Sequence, residues 1–241
     1  LKWQKIRERL YKELGQHPDL RLVIQASDPA LWKLPWLAWD LLQNYPNVGI
    51  ACSPLEFEGK AESDTPRRRK QVRILAVFGN SHQLDLEFDR QQIQRLKDAE
   101  TVFLDCPNSQ SLIQTLREKT GWDIFFFAGH SRSQGRTGRI EINHTEGLDI
   151  DQFRHAVREA IEHGLKIAIF NSCDGLGLAQ HLENLRVPAI VAMQEIVPDV
   201  VAQSFLKEFL QEYSNGQSLY AAVRRSQERL EAFTNLPGAT A

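Results

Sequence analysis

Cysteine is scarce in this chain: three residues in 241, Cys52, Cys106 and Cys173, with no C-x-x-C spacing. Three thiols cannot all pair, which excludes the even disulfide framework of a small secreted fold and leaves them reduced. No apolar run approaches the roughly 20 residues that a bilayer-spanning helix needs, and nothing near Leu1 resembles a signal peptide. An excess of one charge is also missing. Lys and Arg number 29 against 31 Asp and Glu, a net charge of −2, so there is no electrostatic footprint for nucleic acid and no polybasic anchor for a membrane. Metal-ligand spacing is absent too: His155 and His163 lie eight apart, and His17, His82, His144 and His181 are scattered. Gly175-Leu176-Gly177 lacks the further glycine and lysine of a phosphate loop. The expectation is a soluble, cytoplasmic protein with no metal, cofactor, nucleic acid or membrane partner. The chain opens on Leu, as expected of a piece of a longer polypeptide.

What is present is core-forming material. Hydrophobic residues make up 42% of the chain, enough to bury a substantial core. From Lys2 to Leu14 the apolar positions Trp3, Ile6, Leu10, Tyr11 and Leu14 recur at helical spacing, and Gly15 follows as a stop. A strand is predicted over 20–26, a tryptophan-rich helix interrupted by Pro35 over 30–43, and a strand over 48–52. Residues 53–70, ending in Pro66-Arg67-Arg68-Arg69-Lys70, read as a solvated linker. Beyond it strands and helices alternate: strand 73–78, helix 89–97, strand 100–104, helix 109–119, strand 123–128. A polar loop is then predicted over 131–138. A hairpin of Arg139–Ile142 with Gly147–Ile150 follows, then a helix capped by Asp151 and running to His163, and a strand over 166–171. A short helix over 178–185, a strand over 188–192 and helices over 199–213 and 218–233 complete the pattern. This rhythm implies an α/β fold, a mostly parallel sheet with helices on both faces. Cys52 and Cys106, each at the end of a strand-like run, read as small buried hydrophobes.

Two strands end in reactive groups. Ile124-Phe125-Phe126-Phe127-Ala128 runs into Gly129-His130, and Ile167-Ala168-Ile169-Phe170-Asn171 runs into Ser172-Cys173-Asp174-Gly175. Continuous apolar strands of this length are buried on both faces, and chemistry in open α/β sheets sits where they end. An imidazole and a thiol delivered to one edge is the layout of a cysteine-nucleophile enzyme. His130 and Cys173 lie 43 residues apart, against about 50 between the caspase histidine and its Q-A-C-x-G cysteine. Asn-Ser-Cys-Asp-Gly shares with that pattern an amide two before the cysteine, a small residue before it and a glycine two after. On these residues the chain resembles a CHAT domain, a prokaryotic relative of the caspase, separase and gingipain peptidases, over most of its length.

The resemblance implies a caspase-like core over 67–241, with a small β-hairpin after the histidine strand, and an N-terminal helix and strand elaboration over 1–66. It implies a cysteine endopeptidase acting on protein or peptide substrates, with regulatory domains in the same polypeptide. Cys173 is then the nucleophile and His130 the general base and acid. The backbone amides of Cys173 and Ser131, where relatives carry glycine, form the oxyanion hole. For a basic P1 side chain the related separases point to Glu195, with Asp199 and Asp174 next in line and Asn171 lining the same pocket. Glu195 reads equally as a solvated loop carboxylate, Cys173 alone as a buried strand-end thiol, and His130 alone as a core histidine. Two other functions compete. A catalytically silent caspase-like switch module needs neither His130 nor Cys173. A glutamine amidotransferase needs glycine where Asn171 stands and its histidine after the cysteine.

Overall fold

The computed structural model describes residues 2–16, 21–45, 47–53, 71–82, 84–134, 137–172, 178–179, 182, 186–193 and 197–233. Their contacts group into two units, Leu1–Phe57 with Ser204–Ala241, and Glu58–Gln203.

In the first unit, helix α1 (Lys2–Gln16) buries Leu14 beside Leu41, Leu42 and Val48, and Trp3 stacks on Trp39 with ring centroids 5.3 Å apart. Strands β1 (Arg21–Gln25) and β2 (Gly49–Ser53) pair in parallel. The single helix expected over 30–43 is instead two 3-10 turns, Pro29–Lys33 and Trp36–Ala38, followed by α2 (Asp40–Gln43). Pro35 explains the break, since it disfavours helical backbone at Leu34, which is extended at φ −72° and ψ 139°. The helix Leu219–Arg229 starts at Ser218, whose Oγ accepts from the Ala221 N–H, and packs on β2. From it the buried Arg224 donates to the backbone carbonyls of Leu42, Tyr45 and Val48 at 2.6–3.0 Å.

The second unit runs β3 (Val72–Phe78), α3 (Leu86–Gln94), β4 (Ala99–Asp105), α4 (Ser109–Leu116) and β5 (Ile124–Ala128). Three short strands follow, β6 (Ser131–Gln134), β7 (Thr137–Glu141) and β8 (Gly147–Asp149), then α5 (Ile150–Glu162), β9 (Ile167–Asn171) and β10 (Ala189–Ala192). Five strands form an all-parallel sheet in the order β10-β9-β5-β3-β4. The step from β3 to β4 goes one way along this sheet and every later step goes the other. Right-handed crossovers therefore put α3 on one face and α4 and α5 on the other. Side-chain alternation agrees: Phe125, Phe127, Ala168 and Phe170 pack with residues of α4 and α5 such as Leu112 and Phe153. The complementary set, Ile167, Ile169 and Asn171, is left for the α3 face. β5, buried at every residue, is the centre of the sheet.

Several local expectations are corrected. The stretch 131–138 is not a loop throughout, because Ser131–Gln134 forms β6 against β7, making a three-stranded antiparallel sheet of the expected hairpin. Helix α3 begins three residues before Asp89. The cap of α5 is Asp149, whose N–H donates to the Gln152 side chain at 2.8 Å, while Asp151 lies in the first turn. Cys106 is exposed, not buried, because the chain turns out of edge strand β4 there with φ 41°. Cys52 is half-buried, and that burial pushes its thiol pKa up. Most of the helix expected over 178–185, and the linker from residue 54 onward, lie outside the described residues. Among the described residues no helix is long and apolar enough to cross a membrane.

Candidate active site

The order of the parallel strands creates a switch point between β3 and β5, where successive connections depart to opposite faces and the strand ends leave a crevice. His130 sits beside it, two residues past β5. The intervening Gly129 has φ +148°, a conformation that L side chains rarely adopt, and a Cβ there would come within 3.4 Å of three neighbouring atoms. The glycine therefore lets the chain turn off the sheet edge in close contact with the loop after β3.

That loop holds the imidazole. His130 Nε2 lies 2.8 Å from the backbone carbonyl oxygen of His82. A carbonyl only accepts, so Nε2 carries a proton, and the tautomer this contact selects for a neutral ring has its lone pair on Nδ1. The carbonyl is itself fixed. Asn80 Oδ1 accepts from the His82 N–H at 3.1 Å, Asn80 Nδ2 donates to the Glu141 carboxylate at 3.1 Å, and the Asn80 N–H donates to the Glu141 carbonyl at 2.9 Å. The Glu141 N–H in turn donates to the His130 carbonyl at 2.9 Å. A side-chain lock and a backbone lock thus bring the β3 loop, the histidine and β7 together. Ser131, named from sequence for its amide, opens β6 opposite Ile140.

Beside these strand ends lies a cleft of about 420 Å³, its open mouth included. Gly129, Asn171 and Ser172 line it, the chain neighbours of His130 and Cys173, together with Asp85, Asp89 and Asp199 from the helical side. Asp85 precedes α3, and its backbone carbonyl accepts from Gln203 Nε2 at 3.2 Å. Asp199 opens the helix Asp199–Ser214 and is exposed. Of the residues singled out from sequence, Asn171 and Asp199 therefore border one cleft. Cys173, Asp174 and Glu195 lie outside the described residues.

Sequence reasoning missed Asp89. It is 1% exposed, on the buried face of α3. Asn171 Nδ2 donates to its Oδ2 at 2.7 Å, while Oδ1, also buried, has no hydrogen-bond partner among the described residues. Burial pushes its pKa up to about 7, helped by the nearby Asp199 and Asp85 carboxylates and opposed by the Asn171 hydrogen bond. A signal existed in the sequence. Leu86, Asp89, Ile93 and Leu96 fall at the three- and four-residue steps of one helix face, so an aspartate occupies a core position. Starting the helix at Asp89 disguised it as an N-terminal acid. Ser172, 7% exposed, likewise has its Oγ unpartnered among the described residues. No cluster of three His, Cys, Asp or Glu side chains suited to a metal occurs among the described residues.

Comparison with known proteins agrees with this architecture. The family model of the CHAT domain matches residues 2–233. Among solved structures, the complex of the pro- and mature domains of RgpB from Porphyromonas gingivalis superimposes with a TM-score of 0.58 at 10% identity. The match covers 98% of this chain and 65% of that one, so this chain spans just under two thirds of that protein's length. No curated protein sequence matches the chain.

Proposed function

The chain belongs to the CHAT-domain family, and from that membership and the cleft we propose that it is a cysteine endopeptidase with His130 and Cys173 as its catalytic dyad. The observation that carries this reading is the clamped imidazole. With Nε2–H held by the His82 carbonyl, Nδ1 is the ring atom left to exchange a proton, and His130 follows β5, whose neighbour β9 is followed in the sequence by Cys173. In the acylation step Nδ1 takes the thiol proton and sulfur adds to the scissile carbonyl carbon. The C–N bond then breaks as the same proton passes to the departing amine, leaving a thioester. Water, deprotonated by the same nitrogen, hydrolyses the thioester and restores the thiol. The backbone amides of Cys173 and Ser131 serve the oxyanion. Substrates are proteins or peptides cut after a basic P1 residue, for which the cleft offers carboxylates, and regulatory domains of a longer polypeptide control access.

The test is a panel of fluorogenic peptides with P1 Arg, Lys, Asp and Leu, run on this chain and on Cys173→Ala and His130→Ala variants. Turnover lost in both variants supports the dyad, with His130→Ala lowering kcat by about 100-fold or more. Turnover that survives Cys173→Ala overturns it, and a chain inert to every peptide and to a thiol-directed affinity label favours the silent switch module.

A further inference from the structure

The cleft contains more negative charge than its own hydrogen bonds use. Three of its described lining residues are aspartates and none is Lys, Arg or His. Exposed acids alone would mean little. Asp89 differs because it is buried, shares one oxygen with Asn171 and has the other unpartnered among the described residues. The Ser172 hydroxyl, buried in the same lining, likewise has no hydrogen-bond partner among the described residues. Buried polar atoms are nearly always hydrogen-bonded, so two such atoms on residues lining one cleft point to donors that a ligand would bring.

We propose that Asp89 is the specificity-determining carboxylate of this cleft, that it pairs with the guanidinium of a P1 arginine, and that Asn171 is its positioning residue. The proposal rests on the peptidase reading and gives Asp89 the part that the sequence suggested for Glu195. A guanidinium suits the vacancy better than an ammonium. Its planar fork carries several donors, so it can serve the unpartnered Oδ1 and the Ser172 hydroxyl of the same lining while Asn171 still holds Oδ2, and the nearby Asp85 and Asp199 carboxylates add long-range attraction. A lysine ammonium lacks that fork and is harder to strip of water. The floor has a proton in hand when empty: the facing titratable groups are Asp85 and Asp199, with His130 beyond Gly129. The buried carboxyl is half-protonated near neutral pH. A bound guanidinium ionises it and releases that proton to solvent, whereas a neutral side chain releases none.

The test compares a peptide ending in P1 Arg with its P1 citrulline isostere, which replaces one guanidinium nitrogen by oxygen and is uncharged. Binding is measured calorimetrically to the Cys173→Ala protein, so that it does not depend on turnover, and kcat/KM is measured on the parent chain. The arginine peptide is expected to be favoured by about 100-fold, and Asp89→Asn to bring that ratio near one without moving the citrulline value. Equal binding of the two peptides to the Cys173→Ala protein overturns the proposal. So does an Asp89→Asn protein that keeps the preference, even if Cys173-dependent turnover has established the peptidase. Conversely, a preference that vanishes in Asp89→Asn stands even if turnover proves independent of Cys173, in which case only the dyad is lost. Should Asp89→Asn fail to fold, the Cys173→Ala protein still decides. Its arginine-to-citrulline ratio must rise with pH through about 7, with proton release on binding the arginine peptide alone. A flat ratio is the overturning result.

Discussion

Among the described residues two charged side chains are buried, one in each unit, and their surroundings are opposite. Arg224, 5% exposed, spends its guanidinium on the carbonyls of Leu42, Tyr45 and Val48 and on Glu228. Asp89, 1% exposed, has one hydrogen bond among the described residues and two carboxylates nearby. A buried charge whose hydrogen-bonding capacity is used up serves the fold, because removing it orphans the groups it satisfied. One whose capacity is half used lowers stability and persists for something that arrives later. That contrast separates a structural charge from a recognition charge without reference to any relative.

Breaking Arg224 should have the larger effect. Arg224→Ala takes a donor from three carbonyls, of which those of Leu42 and Tyr45 keep a backbone N–H, and is expected to destabilise the chain by about 3 kcal/mol, read by urea denaturation. Arg224→Lys should recover part of this, since an ammonium reaches fewer of the carbonyls. Asp89→Asn should move stability the other way. The folded pKa of about 7 lies above the ordinary 3.8, so the unfolded chain gives up its proton first as pH rises. Stability attached to Asp89 is therefore fully present below about pH 4 and lost progressively up to about pH 7. A shift of this size represents roughly 4 kcal/mol, of which about half should be realised because the cleft is open to water. The variant should thus exceed the parent by about 2 kcal/mol at pH 8 and by little at pH 4. Equal differences at the two pH values would show that Asp89 is not the strained group.

The same contrast accounts for what could be read from the sequence. The central strands β3, β5 and β9 were legible because burial on both faces leaves continuous runs such as Ile124–Ala128, and His130 was legible because polarity begins abruptly after such a run. The 3-10 turns around Pro35 were not, because a proline disturbs backbone on its N-terminal side while the apolar spacing continues across it. β6 was hidden by polar composition: Ser131-Arg132-Ser133-Gln134 owes its extended form to pairing with β7, which no local propensity announces. Asp89 was misread for a related reason. An acid near a helix start is ordinary, and only its register with Leu86, Ile93 and Leu96 marks it as a core position.

Two smaller changes test whether the pocket is built as the contrast implies. Asn171→Ala removes the hydrogen bond that favours the ionised carboxyl, so the Asp89 pKa should climb further and the pH at which arginine gains over citrulline should move up with it. At pH 7 the preference should fall by about 5-fold, the loss of ionised carboxyl for a rise of roughly one pKa unit, and should return at higher pH. A simple loss of packing would not be rescued in that way. Ser172→Ala is the finest probe. Its hydroxyl is buried without a partner among the described residues, so deleting it should leave stability within about 0.5 kcal/mol of the parent or raise it slightly. Yet if that hydroxyl accepts from the bound guanidinium, the arginine peptide alone should weaken by about 3- to 10-fold, the worth of one charge-assisted bond. A substitution silent towards folding and selective against one ligand would place Ser172 with Asp89 on the recognition side. An equal loss for arginine and citrulline would return it to the fold.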